Sequence, residues 1–133
     1  MCSILRVFYL LVTCLILVPA SVAPAWAATL QGTWSGSGYI NPSEGKREKV
    51  RCRITYSRQT PKIYSVRAVC ATASGKVNQT GEVLMVNPNR YIGDFYNPEF
   101  DISGRVRVTI SGSRQTVTLF GSRGSGRVTL TKR

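Results

Sequence analysis

The side chains able to do chemistry in this chain are few. Of 133 residues none is histidine, four are cysteine, six are Asp or Glu and eighteen are Lys or Arg. Without imidazole, the usual general base of a serine or cysteine nucleophile is missing. The carboxylates are Glu44, Glu48, Glu82, Asp94, Glu99 and Asp101. Only Glu99 and Asp101 lie close together, beside Asn97-Pro98, where turn carboxylates are more often solvated than paired for acid–base work. The glycine-rich residues 121–126 sit between two strand patterns, with no helix following to form a phosphate loop. The reading is therefore a non-enzymatic chain with no catalytic residue, no cofactor and no metal.

Charge is the second candidate. Lys49, Arg51 and Arg53 alternate with apolar residues, as do Arg67, Arg105 and Arg107 in later segments. Arginines two apart on a strand share a face, so Arg51 with Arg53, and Arg105 with Arg107, could present forked donors to adjacent phosphate, sulfate or carboxylate groups. Arg51, Arg53, Arg67, Arg105 and Arg107 are accordingly the expected anion- or partner-binding residues. The competing reading is that charged strand exteriors keep a β-protein soluble. Nucleic acid is not the expected partner, because no aromatic residue is interleaved with these arginines and the chain reads as exported.

Export is read from residues 1–27. Arg6 gives a positive start, residues 7–18 an apolar run of signal-peptide length, and Ala25-Trp26-Ala27 an A-x-A cleavage pattern. A retained anchor is the weaker alternative, since a span needs roughly 20 apolar residues; lipidation at Cys14 is another. Cleavage after Ala27 removes Arg6, Cys2 and Cys14. The remaining residues 28–133 carry 17 Lys and Arg against 6 Asp and Glu, a net charge of +11, which favours polyanions. In the expected periplasmic location, with secretion as the alternative, these are an anionic envelope component or an acidic protein. The sequence leaves the oligomeric state open. Cys52 and Cys70 are the expected disulfide in that oxidising compartment, contributing about 3 kcal/mol. Two free thiols or a metal pair are the alternatives, and two ligands do not close a zinc site. Asn78-Gln79-Thr80 matches a glycosylation acceptor, a weak motif in a chain whose leader looks bacterial.

The elements that position these residues are strands. In residues 49–57, Val50, Cys52, Ile54 and Tyr56 share one face; in residues 63–72, Tyr64, Val66, Ala68 and Cys70 do. Pairing the two as a hairpin sets Cys52 opposite Cys70, Ile54 opposite Ala68 and Tyr56 opposite Val66. Residues 30–40 form an earlier strand with Trp34 inward. Later strands occupy 76–86, 90–96, 102–110, 115–120 and 127–131, separated by Gly, Pro, Asn and Ser turns. Eight short strands with short connections predict an eight-stranded antiparallel up-and-down barrel, a two-sheet sandwich being the alternative. Glycines 32, 36 and 38 either leave a ligand cavity beside Trp34 or let the strand bend for closure. The inward residues are bulky enough to predict an interior mostly filled.

The opening Leu30-Gln31-Gly32-Thr33-Trp34 on the first of eight meander strands resembles the G-x-W opening of the calycin barrels, and among them the small periplasmic metalloprotease inhibitors of Gram-negative bacteria. That resemblance implies a barrel signature of Gly32 and Trp34 with an arginine near the end of the last strand packed over the tryptophan, for which Arg127 is the candidate despite its opposite parity to Val128 and Leu130. It also motivates a second function, inhibition of a secreted protease or lysozyme; a third, carriage of a small ligand in the barrel, predicts an apolar cavity beside Trp34.

Overall fold

Wherever apolar and polar residues alternate, the chain is a pleated strand. The computed structural model describes residues 18–20 and 29–133. Apart from residues 18–20, the expected leader, its cleavage site, Cys2 and Cys14 lie outside the described residues. The strands are β1 Gly32–Pro42, β2 Glu48–Arg58, β3 Ile63–Thr72, β4 Gly75–Asn87, β5 Arg90–Asn97, β6 Ile102–Ser111, β7 Arg114–Gly121 and β8 Gly124–Lys132. Each pairs antiparallel with the next, and β8 returns to pair with β1, so the sheet closes into a barrel. Closure removes the exposed edges that an open meander would present. The fold is the eight-stranded up-and-down barrel, not the sandwich.

The β2–β3 register places Cys52 opposite Cys70, Ile54 opposite Ala68 and Tyr56 opposite Val66. Cys52 and Cys70 form a disulfide across this ladder, their Cα atoms 4.1 Å apart. Parity alone predicts this pairing, because a slip of one residue would turn every apolar side chain of the hairpin outward.

Closure has a steric requirement. A Cβ placed on Gly36 would lie 1.9 Å from the Thr129 carbonyl oxygen, and one on Gly38 would lie 1.8 Å from that of Arg127. The two glycines let β1 press against β8, and this structural role is the one they fill. Gly32, at φ 121°, starts the strand in a conformation open to glycine.

The barrel has two unlike ends. At the base lie the β2–β3, β4–β5 and β6–β7 turns, residue 29 and the C-terminus; at the mouth lie the other four connections. Large side chains crowd the base: Trp34, Tyr56, Tyr64, Tyr91 and Leu130 are buried there. Leu30, expected to begin the first strand, instead precedes it and tucks beneath the barrel, fully buried. The Trp34 indole Nε1 donates to the Leu30 carbonyl at 2.9 Å, which fixes this plug.

Candidate functional site

The mouth half is hollow. A cavity of about 450 Å³ runs down from the mouth, its wall formed by Ile54, Val66, Ala68, Val106, Leu119 and the Cys52–Cys70 disulfide, among others. Its volume falls within the roughly 300–1,000 Å³ of small-molecule sites. Tyr56, Val83, Val108, Val117 and Val128 form the deep wall, whereas Trp34, Tyr64, Tyr91 and Leu130 lie below it and line nothing. The interior is therefore filled only at the base, and the cavity is at the opposite end from Trp34. The expectation of a mostly filled barrel fails for a reason of order: the largest buried side chains belong to the base layers, while the mouth layers set Ala68, Gly81, Gly104, Gly121 and Gly126 beside Ile40, Phe95 and Ile102.

The floor is polar beneath its apolar surface. Tyr56 Oη donates to Gln115 Oε1 at 2.7 Å, both groups buried. Gln115 Nε2 has no protein partner, and an orphaned buried amide of this kind costs about 1–3 kcal/mol. Burial pushes the Tyr56 phenol well above its ordinary value. Tyr91 is pushed up to about 12, first by burial and then by Tyr64, with Arg58 opposing. The Tyr64 and Tyr91 rings meet edge to face, 5.4 Å between centroids. Gln115 shares parity with Val117 and Leu119, so the sequence already marked it as inward.

The barrel signature is distributed differently from the expectation. Gly32 and Trp34 occupy the base, but Arg127 points to solvent opposite Tyr39 and Thr118. The cation over Trp34 is Lys132, its Nζ 5.5 Å from the ring centre, while Nζ also donates to the Thr29 carbonyl at 3.0 Å. Parity explains the correction, since Lys132 follows Val128 and Leu130 on the inward face. Thr29 and Leu30 are thus tied to the base.

All five expected anion-binding arginines point outward, but they do not form one site. Arg51 and Arg53 on β2 and Arg67 on β3 share one side. Arg105 and Arg107 stand on β6, four strands from β2 in either direction around the barrel, hence on the opposite side. Arg105 is further committed to Asp94, at 3.3 Å in an exposed pair. The outer faces of β6, β7, β8, β1, β2 and β3 carry no carboxylate; on the strand exteriors these are confined to Glu82 of β4 and Asp94 of β5. Arg47 stacks on the Tyr39 ring at 3.9 Å, extending the basic surface to the mouth beside Lys49.

No protein-family model and no curated protein sequence matches this chain. Solved structures do. A redesigned β-barrel named mFAP1, bound to DFHBI, superposes with a TM-score of 0.65 at 15% identity, covering 80% of this chain and 97% of that one. A redesigned barrel, b11L5F_LGL, gives 0.62 at 19% identity, covering 80% and 93%. A de novo designed fluorescence-activating β-barrel gives 0.62 at 15%, covering 80% and 96%. The likeness establishes the eight-stranded barrel and nothing finer.

Proposed function

We propose that this protein is a non-enzymatic, exported binding barrel that holds a small apolar molecule in its mouth-side cavity. The observation that carries the reading is the cavity itself: about 450 Å³, walled by aliphatic side chains and a disulfide, above a base sealed by Trp34, Tyr64 and Tyr91. Burying an apolar ligand there gains roughly 25 cal/mol for each Å² removed from water, and the plugged base gives the ligand a preformed floor. A disulfide in the wall accords with an oxidising compartment such as the periplasm.

Titration with the neutral, environment-sensitive dye Nile red tests this. A saturable one-to-one fluorescence increase is expected. Ala68→Trp, which fills the cavity from its wall, should weaken binding by about tenfold or more, equivalent to ~1.4 kcal/mol, with the fold retained. Binding unchanged in Ala68→Trp would place the dye elsewhere and defeat the reading.

The basic exterior supports a second reading, that the barrel is held on an anionic envelope polymer or acidic partner through Arg51, Arg53 and Arg67. Its specific support is the absence of any carboxylate on six consecutive outer strand faces. Changing Arg51, Arg53 and Arg67 together to serine should bring elution from heparin or lipopolysaccharide resin to lower salt. Unchanged elution would remove this face as the anchor.

A further inference from the structure

We infer that the cavity's ligand passes sideways through the seam between β4 and β5, with Gln79 as the latch that holds this seam. The inference rests on the ligand-binding reading above and concerns its route. Seven of the eight seams are zipped over eight or more residue pairs. The β4–β5 seam pairs only Leu84 with Ile92, Met85 with Tyr91 and Asn87 with Arg90, all near the base, and even these are interrupted by an irregularity. Towards the mouth, β4 keeps only β3 as a ladder partner and β5 keeps only β6.

The unzipped stretch borders the cavity. Thr80, Gly81, Asp94 and Phe95, from its two lips, all line the cavity. One side chain bridges the lips: Gln79 Nε2 donates to the Tyr96 carbonyl on β5 at 2.9 Å and to the Thr80 carbonyl on its own strand at 2.8 Å. A single exposed amide is a weak closure compared with a ladder, because each such bond contributes only about 0.5–1.5 kcal/mol net.

The outer surface along this seam exposes apolar side chains on either side of the Glu82 and Asp94 carboxylates, with Leu84, Val86 and Ile92 beside its paired base end and Tyr96 and Phe100 towards the mouth. Leu84, Val86, Ile92, Tyr96 and Phe100 are 37–57% exposed; the other large exposed hydrophobics among the described residues are Val18, Tyr39 and Phe120. Exposed apolar side chains concentrated at one place mark a contact for apolar material. Backbone groups without ladder partners on the lips would hydrogen-bond a polar head, and the Glu82 carboxylate on the β4 lip disfavours an anionic one. The ligand class that fits is a neutral single-chain amphiphile, its chain in the cavity and its head in the seam.

The test is a seam lock. If the Leu84–Ile92 register ran on, Thr80 would face Tyr96, so the Thr80→Cys/Tyr96→Cys pair, oxidised, would hold the lips together. Stopped-flow uptake of Nile red and of a fluorescent monoacylglycerol should then be roughly tenfold slower than in wild type treated identically. Gln79→Ala should speed uptake. Wild-type rates in the locked protein would overturn the side route while leaving ligand binding intact; failure of wild type to bind either probe would overturn the cavity reading and the route with it. Hydrogen exchange on the unaltered protein tests the seam independently of the lock. Those amides of residues 76–82 and 94–97 that point into the seam, rather than to β3 or β6, should exchange much faster than the amides of β1 and β8, and equal protection along all eight strands would refute the inference.

Discussion

The β8–β1 and β4–β5 seams are made of the same kind of alternating strand and meet opposite fates. At β8–β1 the register runs through nine pairs, from Trp34 with Lys132 to Pro42 with Gly124, and the backbones press so closely that Gly36 and Gly38 have no room for a Cβ. At β4–β5 the register stops after Leu84 with Ile92; the backbones still meet at the next position, where a Cβ on Gly93 would lie 2.3 Å from the Glu82 carbonyl oxygen, but farther towards the mouth one on Gly81 would meet nothing closer than the Asp94 carbonyl at 3.8 Å. The comparison shows that a closed barrel need not be uniformly closed. Tight pairing along the whole seam between the first and last strands is compatible with an incomplete ladder on the opposite side, beside an apolar interior.

The largest effect expected from breaking this contrast is at the tight seam. Gly38→Ala drives a methyl into the Arg127 carbonyl, so it should cost about 4 kcal/mol or more, a large share of the stability of an ordinary domain. Loss of soluble protein or a steep fall in the urea midpoint would register it. Gly81→Ala at the slack seam should be neutral or stabilising by about 0.5 kcal/mol, because alanine restricts the unfolded chain more than glycine does. Equal penalties at the two positions would erase the distinction.

Next in size is the disulfide, which braces the hollow half where little side-chain packing does. Cys52→Ala/Cys70→Ala opens a loop spanning 18 residues and should destabilise by about 3 kcal/mol, seen as a lower midpoint under non-reducing conditions. If reduction leaves the wild-type midpoint unchanged, the bridge contributes nothing there.

The smallest effect concerns the floor. Tyr56→Phe removes the donor to Gln115 Oε1 and should cost about 1–3 kcal/mol, because a buried amide then has no partner at all. Tyr56→Phe/Gln115→Leu should recover most of that loss by replacing both partners with apolar groups. The floor also sets an alkaline limit. Tyr91 holds its proton up to about 12 against an ordinary 10.0, and Tyr56 holds its proton still more firmly. Above pH 10 the folded state therefore binds more protons than the unfolded state. Stability is full below that point and falls as pH rises between 10 and 12. Thermal melts across this range should show the decline, and Tyr91→Phe should lessen its slope, the remainder coming from Tyr56.

Much of the fold was legible because strand parity is a local property. The alternation Val50, Cys52, Ile54, Tyr56 against Lys49, Arg51, Arg53 sets both the hairpin register and the outward direction of the arginines, since side chains on successive residues point to opposite faces. The same rule names Lys132 and Gln115 as inward residues; Lys132 takes the position over Trp34 once the last strand is extended past Thr131. The cavity was not legible in that way. It depends on which inward residues share a layer, and layers are assembled from strands far apart in sequence: Trp34 joins Tyr56 and Leu130 at the base, Ala68 joins Leu119 and Gly121 towards the mouth.

What the sequence by itself determined is the strand pattern, the cysteine pairing and the basic exterior, all of which follow from residue type and a period of two. Tertiary structure alone decided that the barrel is plugged at one end and hollow at the other, that the five arginines divide between opposite sides, and that one seam stays largely unzipped. These depend on how far strands are staggered and how closely their backbones approach on closure, and no single strand carries that information.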